Sequence, residues 1–360
     1  MAKKAQTESG NKFQDALDRL NKQYGVGTIL GLDSKTNVEY DLISTGSVGF
    51  DYLTLGIGGF AKGKMYELMG WEGTGKSTIC GHAVANCQAK GGKVVYIDGE
   101  NAVDRNYFRQ LGVNTEDMLI AQPSCGEEGF NIALQMIETG EVDLVIVDSD
   151  SSLIPKAVLD GDVGEHAIGK KAKLNSSAYP KLKSAINKNN VCLIVISQYR
   201  EKIGVMFGNP TTTQGGHALK FYSDCRIEVS KSLAKDGDVT YGNITKVKAT
   251  KNKMSPPYRL AQFEIVYGQG IDILDEMMEL INEFEIGRKY GKTMTIDGTK
   301  YDLEEFKQLV VDNPEFYDEL KQKIIAKIQQ SDIEVEEPEV EEEDDVKLPS
   351  PDLFATSEEL

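Results

Sequence analysis

The nine residues from Gly70 to Thr78, GWEGTGKST, carry the spacing G-x-x-x-x-G-K-S between a strand-like apolar run and a helix-like one. In that context such a loop wraps a polyphosphate. Gly70, Gly73 and Gly75 free the backbone to curl with its N–H groups inward, and a helix opening near Lys76 adds its positive end. Trp71, Glu72, Thr74 and Thr78 complete the loop. Lys76 has the reach for β- and γ-phosphates, and Ser77 can offer its hydroxyl to Mg²⁺. Asp148 ends the run LVIVD, which puts its carboxylate at the C-terminal edge of a parallel sheet, where it can hold the water shell of the ion. Glu100 stands two residues beyond Asp98, past the run VVYID; there it could polarise an attacking water as a general base. Gln198 ends a further apolar run, and a neutral amide there can hydrogen-bond a γ-phosphate and move when it leaves. A single acid or amide at a strand end is commonplace. Together these residues predict Mg²⁺-assisted hydrolysis of a nucleoside triphosphate at its γ-phosphate.

The elements that must hold them are short apolar runs separated by helical stretches. KMYELM, KVVYID (93–98), DLVIVD (143–148) and VCLIVIS (191–197) read as strands buried on both faces, the pattern of a parallel sheet. The fold class is therefore α/β with a mostly parallel central sheet. DCRIEVSK, NITKVKATKNK and RLAQFEIVY read as half-exposed antiparallel strands. KFQDALDRLNKQY (12–24) spaces Phe13, Leu17, Leu20 and Tyr24 as one helical stripe. After Gly270 the pattern changes to a helix, a hairpin MTIDGTKY with an Asp-Gly turn, and two helices around Pro314. The pattern itself sets off a small α+β C-terminal domain (271–330) and a disordered tail (331–360).

Charge placement matters more than its total. The net charge is −17, yet residues 331–360 hold 13 acids and one lysine, leaving only −5 for residues 1–330. Such an end reads as disordered, either a solubilising tail or one that competes with phosphates for a basic surface of the same protein. The N-terminal ten residues lack an apolar stretch and no run is long enough to cross a bilayer, so a cytoplasmic protein without a membrane partner is expected. The five cysteines form no C-x-x-C pair, which argues against a disulfide framework or a zinc site; Cys80 and Cys87 read as core packing. His82 and His166 carry no signal.

One stretch fits neither core strand nor solvated loop. KIGVMFGNPTTTQGGHALKFY (202–222) has no charged residue between Lys202 and Lys220 but holds four glycines and three consecutive threonines. It, together with ISTGS (43–47), GWEGTGKST, YIDGENAVD (96–104), LGV, VDS (147–149) and VKATKNK (247–253), resembles the bacterial RecA strand-exchange recombinases, phage-borne members included. The resemblance spans about residues 11–270 and, more loosely, the region to 330.

The resemblance implies an N-terminal helix-and-strand polymerisation arm (1–45) that docks on an adjacent copy, and a RecA-type ATPase core (46–270) with two DNA-binding loops, at about 160–169 and 199–217. Ile168 and Ile203 would wedge between stretched bases, Lys173 and Ser176 would lie by the backbone, and Arg200, Gly215, Gly216 and His217 would belong to the second loop. Lys231, Lys246 and Lys248 would form a weaker site for incoming duplex. Lys251 and Lys253 would cross to a neighbour's ATP as arginine fingers do. Asp104 and Tyr107 would contact the adenine, and Tyr267 would cover the base from a neighbour. Arg288, Lys289, Lys292 and Lys300 would gather duplex. The implied partners are single- and double-stranded DNA, further copies of the chain in a helical filament, and single-strand-binding and loader proteins. The implied function is ATP-dependent homologous recombination and repair.

The chain departs from the family pattern at Trp71, where proline is usual, at Pro180 and Ser230, where basic residues are usual, and at His217, where asparagine is usual. Two alternatives stand beside the recombinase. One is a ring-forming helicase motor, against which the N-terminal helix and the Lys251/Lys253 pair argue. The other is a mediator that coats single strands without useful turnover.

Overall fold

The computed structural model describes residues 2–24, 39–162, 169–201, 211–213 and 215–331. The expectations for Ile168, His166, Ile203 and the tail beyond Ser331 lie outside the described residues. The chain divides into two compact units, the first ending at Asp41 and the second beginning at Leu42. The first carries α1 (Ala2–Tyr24), ten residues longer at its start than the apolar stripe predicts. Ala, Lys, Gln and Glu in residues 2–9 favour helix through intrinsic propensity, which leaves no periodic mark.

The second unit opens on β1 (Leu42–Ile43), antiparallel to β2 (Phe60–Ala61). β3 (Met65–Gly70), α2 (Lys76–Ala89), β4 (Val94–Asp98), α3 (Arg105–Gln110), β5 (Leu119–Ala121), α4 (Gly126–Glu138), β6 (Leu144–Asp148), α5 (Lys156–Leu159), α6 (Lys170–Asn189) and β7 (Cys192–Glu201) follow. Next come β8 (Thr211–Thr213), α7 (Ala218–Tyr222), β9 (Cys225–Asp236), β10 (Val239–Asn252), β11 (Leu260–Val266) and β12 (Gly270–Ile271). These strands form one sheet in the order β12-β11-β10-β9-β3-β7-β6-β4-β5, with β8 paired to β7. The four predicted core strands are parallel; of the later ones, expected to be antiparallel, β9 joins β3 in parallel, and β10 and β11 then add antiparallel to it and to each other. α6 runs unbroken through Pro180.

Alternation along the core strands feeds two hydrophobic layers. Tyr66, Leu68, Tyr96, Ile146 and Ile194 pack with Ile79, Cys80, Ala83 and Cys87 of α2. Met65, Val95, Ile97, Val145, Leu193 and Val195 pack with α4 and α6 on the other side. A strand covered on both faces needs apolar residues at every position, which is why these runs are continuous rather than alternating.

α8 (Ile273–Glu283), β13 (Gly287–Tyr290), β14 (Thr293–Ile296), β15 (Thr299–Asp302), α9 (Leu303–Asp312) and α10 (Pro314–Gln330) complete the unit. Asp297 (φ 51°) and Gly298 (φ 79°) make the β14–β15 turn, the left-handed pair that an Asp-Gly hairpin predicts. Met277, Ile281, Met294, Phe306 and Leu320 share one continuous core with Val48, Phe50 and Phe263. A polar clasp reinforces that junction: Ser47 Oγ and the Gly49 N–H donate to Glu276 Oε1 at 2.5 and 3.0 Å. Burial pushes the Glu276 carboxyl up to about 8.

Candidate functional site

The parallel register brings the predicted residues to one edge. Gly70 pairs with Gln198 and Asp98 with Asp148, so the ends of β3, β7, β6 and β4 meet. Gly73 (φ 69°) and Gly75 (φ 94°) take left-handed conformations that let the loop curl without Cβ strain. At Gly70 a Cβ would sit 2.3 Å from the Val229 carbonyl oxygen, so that glycine is required for packing as well.

Lys76 opens α2 and is 6% exposed. Its ammonium donates to the carbonyls of Gly70 (3.0 Å) and Trp71 (2.7 Å). Burial lowers its pKa, while Asp148 and Glu100 pull it back up. Ser77 Oγ and Tyr96 OH both donate to Asp148 Oδ2, at 2.8 and 2.6 Å. Burial raises the Asp148 pKa against the effect of those two donors. A hydroxyl and a carboxylate oxygen side by side are hard donors that suit Mg²⁺, an ion that keeps waters and takes the rest of its shell from phosphates. Among the described residues no cluster of three or more His, Cys, Asp or Glu could hold a metal by itself.

Glu100 Oε1 accepts from Ser149 Oγ at 2.6 Å and from Gln198 Nε2 at 2.7 Å. Asp98 is 1% exposed and accepts from the N–H groups of Ala102 (3.1 Å) and Val103 (3.4 Å) and from Gln122 Nε2 (3.2 Å). It thereby folds the segment that presents Glu100. Sequence reasoning missed Tyr96, Asp98, Ser149 and Gln122 as partners. Ser149 directly follows Asp148 within VDS, and that adjacency was the available signal.

Tyr107 OH lies 2.8 Å from Thr78 Oγ1, beside the loop. The Asp104 carboxylate caps α3, accepting from the N–H groups of Asn106 and Tyr107 at 2.8 and 3.1 Å. Tyr267, expected to reach over from a neighbour, already lies by the loop of its own chain. Its hydroxyl donates to Asn243 Oδ1 (3.0 Å), and Asn243 Nδ2 approaches the Gly73 carbonyl at 3.4 Å.

The second predicted DNA segment grows from a hairpin. Tyr199, Arg200 and Glu201 pair with Thr213, Thr212 and Thr211. Three β-branched residues in a row favour this strand, which the glycines around it hide in the sequence. The Trp71 and Tyr199 rings meet edge-on with centroids 6.0 Å apart. Lys173 and Ser176 share an exposed face of α6, and Gly216 and His217 are exposed.

Lys231, Lys246 and Lys248 do not share one face. Lys231 lies opposite buried Thr245, whereas Lys246 and Lys248 lie opposite Ser230 and Glu228. Directly opposed residues point the same way, so Lys231 faces the phosphate loop and the other two face away. A Cβ at Gly73 would meet Lys231 Nζ at 3.0 Å.

Lys251 donates to the carbonyls of Lys220 (2.8 Å) and Phe221 (3.2 Å) at the end of α7. Lys253 lies 3.4 Å from Asp224, which also pairs with Lys183. This cluster is at the opposite edge of the sheet from the phosphate loop. Asn252 pairs with Cys225, and Cys225 with Tyr66; Gly70 is four residues on, or about 13 Å of strand. In the C-terminal region, Lys289 is held by Glu279 and Asp275. Arg288 and Lys300 flank Thr295 from either side.

A model of the RecA N-terminal domain matches residues 11–272. The chain is 42% identical over 345 residues to Protein RecA of Cytophaga hutchinsonii, covering 94% of this chain and 97% of that protein. It is 38% identical over 361 residues to Protein RecA of Streptococcus uberis, covering 98% and 94%. Against Protein RecA of Porphyromonas gingivalis the identity is 43% over 312 residues, covering 86% and 92%.

Proposed function

The chain belongs to the RecA family, and from that premise we propose how its own residues carry out the family's work. It acts in homologous DNA recombination and repair. It is a DNA-dependent ATPase that forms filaments on single-stranded DNA, pairs them with homologous duplex and exchanges strands.

The nucleotide is ATP with Mg²⁺, which supplies the phosphoanhydride that is cleaved and the charge neutralisation that its cleavage needs. The curled Gly70–Gly75 backbone binds the phosphates, and Lys76 leaves its carbonyl partners for the β- and γ-oxygens. Ser77 and Asp148 would hold the ion. Glu100 takes the proton of the attacking water. Tyr107, Asp104 and Tyr267 frame the base. Lys251 and Lys253 complete a neighbour's site, since they stand about 13 Å of strand from their own.

Single-stranded DNA lies against the segments 160–169 and 199–217, with Lys173, Ser176, Arg200, Gly215, Gly216 and His217 as described contacts. Lys246 and Lys248 receive the duplex. Single-strand-binding and loader proteins act as partners in a cytoplasmic setting. Among the described residues no helix is long and apolar enough to cross a membrane.

The observation that carries this reading is the 2.7 Å contact between Gln198 and Glu100. It joins the base of the nucleotide site to the residue from which the second DNA segment departs, so nucleotide state and DNA grip share a side chain. The test is strand exchange with homologous and heterologous duplexes, wild type beside Lys76→Ala. Exchange by the wild type with homologous duplex alone, lost in Lys76→Ala, is expected. Absence of DNA-stimulated ATP turnover and of exchange in the wild type would overturn the reading.

A further inference from the structure

Three consecutive side chains at the end of β6 reach three different neighbours. Asp148 accepts from Ser77 and Ser149 donates to Glu100. Asp150 enters a buried polar cluster. It is 1% exposed. Its Oδ1 accepts from Tyr179 OH at 2.5 Å and faces Lys171 Nζ at 3.4 Å; its Oδ2 accepts from Asn175 Nδ2 at 3.0 Å. Lys171 also donates to the Leu153 carbonyl at 2.7 Å and lies over the Phe130 ring at 5.6 Å.

A buried ion pair of this kind is no better for stability than an apolar filling of similar volume. What it adds is direction, because each hydrogen bond fixes one partner's position. Lys171 is the second residue of α6, immediately after segment 160–169. Asn175, itself 1% exposed, donates from the same Nδ2 to the Gly215 carbonyl at 3.2 Å, within segment 199–217. The fit there is close: a Cβ at Gly215 would lie 2.2 Å from Asn175 Nδ2 and 2.8 Å from Asp150 Oδ2.

We propose that Asp150 and Asn175 are positioning residues that tie the ends of both DNA-binding segments to the nucleotide-side strand, along a route parallel to Gln198. The proposal rests on reading 160–169 and 199–217 as DNA-binding segments. Asp148, Ser149 and Asp150 share one short backbone stretch. A change at the magnesium side or at Glu100 therefore displaces Asp150, and Asn175 passes the displacement to Gly215.

The test is the affinity of a labelled oligothymidine for the full-length protein, measured by anisotropy with a slowly hydrolysed ATP analogue and with ADP, alongside thermal unfolding. The wild type should bind more tightly with the analogue. Asn175→Leu, which keeps the number and branching of side-chain heavy atoms and removes both hydrogen bonds, should cut the ratio of the two affinities by roughly tenfold. Asn175→Ala removes the same two hydrogen bonds without added bulk and should do likewise, and it decides the matter should Asn175→Leu fail to fold. Tyr179→Phe removes only the hydroxyl on Asp150; it should lower the unfolding temperature and leave the ratio unchanged. An unchanged ratio in Asn175→Leu and Asn175→Ala overturns the proposal, as does an equal fall in Tyr179→Phe. A wild type indifferent to the nucleotide would instead overturn the reading of the DNA-binding segments, so the two failures are distinguishable.

Discussion

Gln198 donates from Nε2 to Glu100 Oε1 across 2.7 Å, although 98 residues of chain separate them. Ser149 holds the same carboxylate oxygen at 2.6 Å. Glu100 is thus positioned from two strands at once, and one of those strands continues into the hairpin that bears the proposed second DNA-binding segment.

Removing either partner should separate the two halves of the activity. Glu100→Gln is expected to lose about 10²–10⁴-fold in ATP turnover, the range for a general base, while still binding single-stranded DNA with ATP. Gln198→Ala should retain nucleotide binding and lose most of the difference in DNA affinity between ATP and ADP. Steady-state phosphate release and filter binding measure the two quantities. Full nucleotide control of DNA binding in Gln198→Ala would contradict the assignment.

Lys251 and Lys253 lie at the sheet edge remote from their own phosphate loop. Lys253→Ala should therefore leave ATP binding by the unassembled chain intact and reduce turnover in filaments on the order of 10³-fold, as loss of an arginine finger does. Mixing Lys253→Ala with Lys76→Ala should restore part of the turnover, because each interface then needs one intact side from each partner. A mixture as inactive as its components would argue that the lysine acts within its own chain.

The opposed faces of β9 and β10 separate lysines that look alike in the sequence. Lys231→Ala should raise the ATP concentration needed for half-maximal turnover, since its ammonium adjoins Gly73. Lys246→Ala and Lys248→Ala should instead weaken duplex uptake uniformly across sequences. Each of these two should flatten the salt dependence of duplex binding by about one unit of slope. Titrations in salt and in ATP distinguish the two behaviours.

Glu276 gives the fold a pH dependence of defined sign. Its carboxyl is raised from 4.5 to about 8 by burial, and Asp51 beside it from 3.8 to about 6. A raised carboxyl binds its proton more tightly when folded, so its stabilisation is full below the unfolded value and is lost as pH rises through the folded one. Between about pH 5 and 8 the Glu276 contribution should fall by up to ~1.4 kcal/mol per pH unit. Glu276→Gln should flatten that decline and be the more stable chain at pH 8.5, as read from urea midpoints at pH 5.5 and 8.5. Equal slopes for the two chains would remove Glu276 as the cause.

Much of the geometry of the candidate nucleotide site was legible because its signals are local. G-x-x-x-x-G-K-S sets its own backbone, and an acid at or just past the end of a buried strand must emerge at the sheet edge, which located Asp148 and Glu100; Gln198 ends the apolar run but not its strand, since β7 continues to Glu201. Residues whose role depends on register were not legible. Lys231 and Lys246 differ in face only because Thr245 opposes Lys231. Asp150, Asn175 and Gly215 meet across 65 residues through a turn and a helix that no periodicity ties together. Tyr267 depends on Asn243, whose polar side chain in a strand gives no hint of the loop it supports.

Trp71 is the sole tryptophan of the chain, 44% exposed, and it stands on the phosphate loop edge-on to Tyr199. Its emission is therefore a single-site optical signal, free of background from other indoles, at the joint between the two binding surfaces. Nucleotide arriving on one side and a polynucleotide on the other should each change its intensity or wavelength. Stopped-flow traces of the unlabelled protein would then show which of the two events leads.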